Sequence, residues 1–433
     1  MRSWFRDTTG GLPATFWYLW AGTLINRLGS FILVFLAIYL TRERGFSDAQ
    51  AGLVIGLWGA GGAVGTMVGG VLADRWGRRP TLLTAHLGGA VAMIGLGFAR
   101  EYWMIACAAL LLGSFAEAAR PAFSAMMVDV VPDRDRLRAF SLNYWAINLG
   151  FASAAILAGF AAEADYLLLF LVDAATTVVT ASIVFFKVRE TRPVDAARPS
   201  AGVPRGRGLS VVLRDRVFIA FVLVNLFMAL VFLQHISMLP IAMGDEGLSP
   251  STYGWVISLN GIVIVLGQLF IPRLIEGRSR SHVLALATVI LGVGFGLTAF
   301  AGAAAWFYAI TVLVWTLGEM LNSPSTSTMI AELSPNDMRG RYQGVLSLSW
   351  SVAAFAAPVL GGVVRETLGN TTLWLGAAGL AFVVAVAHLL SGPARERRAA
   401  ELHPPVTPVP ASDVAPAPPG AISDSLAPTA STS

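Results

Sequence analysis

Charge is what this chain has least of. Only 13% of its 433 residues are charged, against 55% hydrophobic, which excludes an ordinary soluble globule and describes a membrane protein. At roughly 20 residues per crossing, that apolar content supports about a dozen helices. Cysteine is nearly missing: the one thiol, Cys107, excludes an intramolecular disulfide. Lysine is limited to Lys187, so almost all positive charge is arginine. The first apolar run is long and carries Arg27, so a retained helix is expected there and not a cleavable leader. No HExxH, GxSxG, Walker or paired-cysteine pattern occurs. An enzyme or ATP-driven pump is therefore unsupported, and no cofactor or metal site is expected. The glycine run Gly59–Gly65 imitates a dinucleotide fingerprint but lies in an apolar run with no strand before it. Gly61, Gly65 and Gly69 read instead as a small-residue stripe for close helix packing.

The apolar runs predict spans over 14–40, 49–73, 81–98, 102–128, 139–162, 166–186, 217–243, 252–271, 282–301, 304–331, 342–364 and 371–390. With the N-terminus inside, 24 of the 30 Arg and Lys residues fall in inside segments and 4 outside, leaving Arg27 and Arg120 within spans. That bias places both termini in the cytoplasm. The sequence pI near 9.5 therefore reflects topology, and no nucleic-acid partner is expected. The fold class is an all-α membrane protein with two six-helix bundles. Residues 1–187 form the first bundle, 188–216 a cytoplasmic linker, 217–392 the second bundle and 393–433 a disordered cytoplasmic tail, by composition.

An internal repeat supports the division. Pro121 and Pro324, Pro132 and Pro335, Arg136 and Arg339, Arg138 and Arg341, and Gly159 and Gly362 are all separated by 203 residues without a gap. A parallel repeat of six spans accounts for them.

The turn after the second span carries the most specific motif: Gly70, Asp74, Arg75, Gly77, Arg78 and Arg79. One carboxylate among three guanidiniums suits a latch between helix ends that holds in one conformation and releases in another. In the second half, Gly277 and Arg278 return while Ile271 stands in the aspartate's place, so the latch is expected to be asymmetric. This motif resembles the loop 2–3 signature of the major facilitator superfamily. The segments RPAFSAMM, LRDRVFIAFVL and LGEMLNSPS resemble its bacterial drug–proton antiporters, the MdtH-like group. The resemblance implies alternating access by rocking of two bundles around a midplane cavity, with export coupled to inward proton flow. The chain departs from the antiporter pattern at Ala154 and Ala155, where Gly-Pro stands in that group. It departs again at Ala108 to Leu110, which lack that group's early arginine.

Ionisable groups inside spans mark pathways by default. Dehydration favours the neutral carboxylate and an approaching arginine the charged one, so a buried acid can take up and release a proton each cycle. The proton-coupling candidates are Glu319, which has no charged neighbour in its own helix, Glu117, which pairs with Arg120 three residues on, and Asp173. The substrate-cavity candidates are Asn26, Arg27, Arg120, Asn148, Gln234, His235, Asn260, Trp315 and Asn322. For four of them a bland alternative stands: a buried ion pair for Glu117, a structural role for Asp173, a permanent salt bridge for Arg27, a core histidine for His235. The expected protein is a monomeric proton-coupled exporter of small amphipathic or cationic molecules in the bacterial inner membrane. Its partners would be a small-molecule substrate, protons and the lipid bilayer. The alternatives are an uptake symporter or facilitator, with Arg27 holding a substrate carboxylate, and a non-transporting membrane sensor.

Overall fold

The computed structural model describes residues 10–192, 209–335 and 338–402. The first half contains α1 (Ala14–Leu28), α2 (Phe31–Ile38), α3 (Asp48–Arg75), α4 (Arg78–Phe98), α5 (Tyr102–Val130), α6 (Arg136–Ala164) and α7 (Tyr166–Lys187). After α8 (Leu209–Arg214) come α9 (Arg216–Phe232), α10 (Gln234–Asp245), α11 (Pro250–Gly267), α12 (Ile271–Ile275), α13 (Arg280–Leu297), α14 (Ala305–Leu333), α15 (Arg339–Leu368), α16 (Asn370–Leu390) and α17 (Gly392–Leu402). Helices satisfy backbone polar groups within lipid and leave no edge. Ten helices among the described residues are long and apolar enough to cross a membrane, α9 and α10 counting as one. The broken pair α1–α2 and the more polar α14 complete twelve crossings in two bundles of six.

The repeat is visible in the helix limits. Helices α5 and α14 each span 29 residues and start and end 203 positions apart. The same displacement relates two breaks that the apolar pattern did not predict. The expected single helix 14–40 is interrupted at Gly29 and Ser30, and the expected helix 217–243 at Leu233. At the first break Gly29 lies so close to Thr176 that a Cβ would overlap it. There the Asp173 carboxylate accepts the Ile32 N–H at 3.3 Å, capping the start of α2.

Short helices also occur in the two segments expected to lack them. The stretch 209–214 of the expected linker is helical. So are residues 393–402 of the expected tail, where α17 docks through Arg395 onto the His388 carbonyl and the Phe221 ring. Residues 193–208 of the linker and 403–433 of the tail lie outside the described residues.

Within the first bundle α3 packs on α5, α4 on α5 and α7, and α1 on α6 and α7. In the second, α13 packs on α14 and α16, and α9 on α15 and α16. The bundles meet through α3 with α15 and α6 with α11. One buried core runs through both bundles at the end holding residues 39–48 and 245–250. At the opposite, linker end the cores are separate, one around Phe16, Leu82 and Met126 and one around Phe218, Leu284 and Tyr342. The bundles are therefore sealed at one end and part at the other.

Candidate functional site

The sealed end is built from the repeat. Helix α3 begins at the Ser47 capping box, and α11 at Ser249, whose side chain accepts the Thr252 N–H at 3.2 Å. Each also receives a carboxylate from the opposite bundle. Glu366, ending α15, accepts the Ala49 N–H at 2.9 Å, and Glu163, ending α6, accepts the Ser251 N–H at 3.2 Å. The two glutamates are 203 positions apart. Glycines bring the backbones into contact: a Cβ on Gly52 or Gly254 would strike the carbonyl of Pro358 or Ala155, again a pair separated by 203. The departures from the Gly-Pro pattern thus fall on this seam. Over it lies an ionic cluster without a repeat counterpart. Buried Arg365 pairs with Asp48 of the other bundle, with Asp245 at 2.5 Å, and donates to Asn370 Oδ1 at 3.1 Å. Arg42 donates across the seam to the Leu248 carbonyl at 3.2 Å.

Inside the first bundle a set of charges gathers. Arg27, packed against Gly150, lies within electrostatic reach of Glu117, Arg120, Asp173 and His86. No carboxylate approaches it to ion-pair distance among the described residues, so the permanent salt bridge considered for it does not form. Glu117 and Arg120 pair at 3.2 Å, as their three-residue spacing predicts. Asp173 caps α2, and Asn26 donates to Thr177 at 2.9 Å. Both therefore occupy the seam between α1 and α7. His86, half-buried in α4, was not among the sequence candidates although it is an ionisable group inside a span.

In the second bundle Glu319 accepts from Asn260 Nδ2 at 2.7 Å, and the same amide donates to Thr316 at 3.1 Å. Tyr144 of the first bundle is within electrostatic reach of Glu319 across the cleft. Beside it Asn148 donates to the Tyr144 carbonyl at 2.9 Å. Tyr144, Trp145 and Phe227 are exposed. Trp315 is 1% exposed and stacks on Phe295, so it belongs to the core and not to a cavity wall. His235 sits 5.2 Å from the Trp315 ring, its Nδ1 2.6 Å from the Phe232 carbonyl. Gln234 donates to Ala357 at 2.9 Å, bracing the α9–α10 break against α15. Asn322 is buried with its Oδ1 unpartnered among the described residues.

The basic turn differs from expectation in its carboxylates. Asp74 is 78% exposed and 3.7 Å from Arg78. Arg78 is instead buried against Asp129 at 3.1 Å and donates to the Ala73 carbonyl at 3.0 Å. Glu190 receives the backbone N–H groups of Arg78, Arg79, Thr191 and Arg192 at 2.8 to 3.0 Å. Burial works against its charge, but those four donors outweigh it and hold the carboxyl below its usual range. Gly77 adopts φ +124°, and a Cβ there would meet the Glu190 carboxylate. Arg79 donates to the Phe185 carbonyl, Arg192 to that of Arg75, and Gly70 faces Pro121. All these ties lie within one bundle. Asp129 and Glu190 fall far from the motif in sequence, and nothing in their neighbourhood marked them.

Comparison with known proteins gives a consistent result. The family model described as Major Facilitator Superfamily matches residues 19–244 and 235–423. A Na(+), Li(+), K(+)/H(+) antiporter of Planococcus maritimus is 22% identical over 361 residues, covering 76% of this chain and 84% of its own. The multidrug resistance protein MdtH of Escherichia coli is 23% identical over 353 residues, covering 80% and 85%. Among solved structures, the nucleoside transporter NupG superposes with a TM-score of 0.77 at 14% identity, over 87% of this chain and 99% of that one. At that identity it speaks for the fold alone.

Proposed function

The chain belongs to the Major Facilitator Superfamily, and from that membership we propose a proton-coupled exporter of small amphipathic or cationic molecules. The observation that carries this reading is Glu319. Its carboxylate lies within electrostatic reach of Tyr144 across the cleft, is held by the neutral donor Asn260, and has no arginine partner among the described residues. An acid so placed binds either a proton or a cation but has nothing fixed to neutralise it, which is the exchange an antiporter needs. The exposed aromatic side chains Tyr144, Trp145 and Phe227 supply apolar contact for an amphipathic ion. The activities named for the two relatives, drug resistance and cation–proton exchange, support the same chemistry.

The sealed end and the parted linker end correspond to one state of alternating access, with Glu319 reached from the linker side. Arginine placement supports a cytoplasmic linker and cytoplasmic termini in a bacterial inner membrane. One chain supplies both walls of the cleft, so the working unit is a monomer. The uptake reading rests on Arg27, whose guanidinium lacks an ion-pair partner among the described residues. Glu117, Arg120, Asp173 and His86 surround it in the first bundle, which favours a fixed internal charge over a substrate anchor.

Proton movement in proteoliposomes with an entrapped pH-sensitive dye tests this. Adding a lipophilic cation should drive protons the opposite way in the wild type, and Glu319→Gln should abolish that flux while Glu117→Gln retains most of it. Proton flux in the same direction as an added carboxylate, lost in Arg27→Gln, would establish uptake instead.

A further inference from the structure

The linker end of the second bundle carries a groove of about 460 Å³ where α8 turns into α9. Asp215 makes the turn, and its carboxylate is fully engaged. It accepts the Phe218 N–H at 3.1 Å, the Tyr342 hydroxyl at 3.0 Å and Arg398 Nη2 at 3.2 Å. Arg398 also meets Glu401 at 3.5 Å, so its charge is compensated twice. The flanking Arg214 and Arg216 differ. Both are exposed, both line the groove, and neither has a hydrogen-bond or ion-pair partner among the described residues. Val211 and Val217 line the groove with them, and Leu213, next to Arg214 in the chain, is 57% exposed. Two uncompensated guanidiniums over an apolar strip, where a membrane helix begins, match a ligand with an anionic head and a hydrocarbon body.

The fold does not require this arrangement. At the repeat-related positions the first bundle carries Gly11, Leu12, Pro13 and Ala139, with no basic residue and no acid to cap. The groove is therefore an addition to one half, in contrast to the seam contacts, which both halves share.

We propose that this groove binds the phosphate of an anionic phospholipid, with Arg214 and Arg216 gripping the phosphate oxygens and the valines receiving the glycerol backbone. The exposed Leu213 favours a lipid over a free phosphate, because it offers a path for an acyl chain. The assignment is independent of the direction of transport and of the coupling ion.

The test uses the full chain in neutral detergent, incubated with phosphatidylglycerol or phosphatidylcholine, and counts retained lipid by native mass spectrometry. The wild type should retain phosphatidylglycerol selectively. Arg214→Ala with Arg216→Ala should weaken that retention by about 30-fold, the effect of two interfacial arginines. A control with the same charge loss, Arg273→Ala with Arg278→Ala at other exposed positions of this bundle end, should change it by less than about threefold. Equal losses in the two pairs would reduce the effect to general surface charge and overturn the site. Displacement of bound lipid by equimolar glycerol 3-phosphate would overturn the lipid assignment in favour of a soluble phosphate. Should the double variant fail to fold, Arg216→Gln, a single exposed change, must still lower retention by about fivefold. Unchanged retention in that variant would sink the proposal.

Discussion

The two bundles share one backbone plan and divide the buried charge unequally. The first gathers His86, Glu117, Arg120 and Asp173 within electrostatic reach of Arg27, so its two arginines have two carboxylates nearby. The second holds Glu319 facing only neutral groups among the described residues, Asn260 at hydrogen-bond distance and Tyr144 across the cleft. Their helix breaks show the same contrast. At Gly29 the break is capped by Asp173, whose counterpart 203 positions on is Gly376. At Leu233 the carbonyls of Phe232 and Leu230 are met by His235 and Gln234 from the chain's own next turn. A repeat fixes where helices stop, while the polar side chains that serve each stop are chosen separately in each half. In the proposed cycle the first bundle is the electrostatically settled partner and the second carries the group that titrates.

The comparison can be broken most severely at the sealed end. Arg365 has Ala162 at its repeat position, so the ionic cluster depends on one half alone. Arg365→Ala leaves Asp48 and Asp245 facing each other without a cation. Removing one partner of a buried ion pair costs about 3–5 kcal/mol, here weighted against the sealed state. Thiol labelling at a cysteine introduced beside Asp48, in a Cys107→Ser background, should rise several hundred-fold in rate. A rate unchanged within a factor of two would show that the glycine seam alone holds that end closed. The glutamate caps are the symmetric case. Glu163→Gln and Glu366→Gln should each shift the same labelling by at most about fivefold, because solvent screens a charge-assisted cap at an exposed carboxylate. Their effects should match within a factor of two, because the two caps are related by the repeat. A tenfold disparity would mean that the halves do not share the load.

Much of this was legible from the chain alone. Scarce charge, twelve apolar runs and the 203-residue offset lead to two parallel bundles, because period and hydropathy dictate helices in lipid. The offset held more than was drawn from it. Glu163 and Glu366 obey it, yet each looked like an ordinary helix-end acid until the opposite helix start was brought against it. Glu117 with Arg120 was readable because the pair is local, three residues apart on one helix. Asp48 with Arg365, and Arg78 with Asp129, were not, because each pair joins different helices whose register only packing decides. The helix break at Gly29 was hidden for a similar reason. Its stabilising group, Asp173, lies in α7, and the apolar run itself continues across the break.

The smallest expected effect separates the two basic turns. In the first half Glu190 draws in four backbone N–H groups, two of them from the Arg78–Arg79 turn. At the repeat position stands Pro393, which offers no side-chain acceptor. The Glu190 carboxyl is held below its usual 4.5, so its contribution to stability is fully present above that value and fades as pH falls through the lower folded value. Thermal stability in detergent should therefore show no Glu190-dependent change between pH 7 and 5. Glu190→Gln should lower the melting temperature by about 1–2 °C throughout that range. Acidification through the lowered folded value should bring the wild type and the variant together. A difference that does not shrink on acidification, or that opens only there, would contradict a carboxylate clamp. It would assign the turn's stability to Asp129 and Gly77 instead.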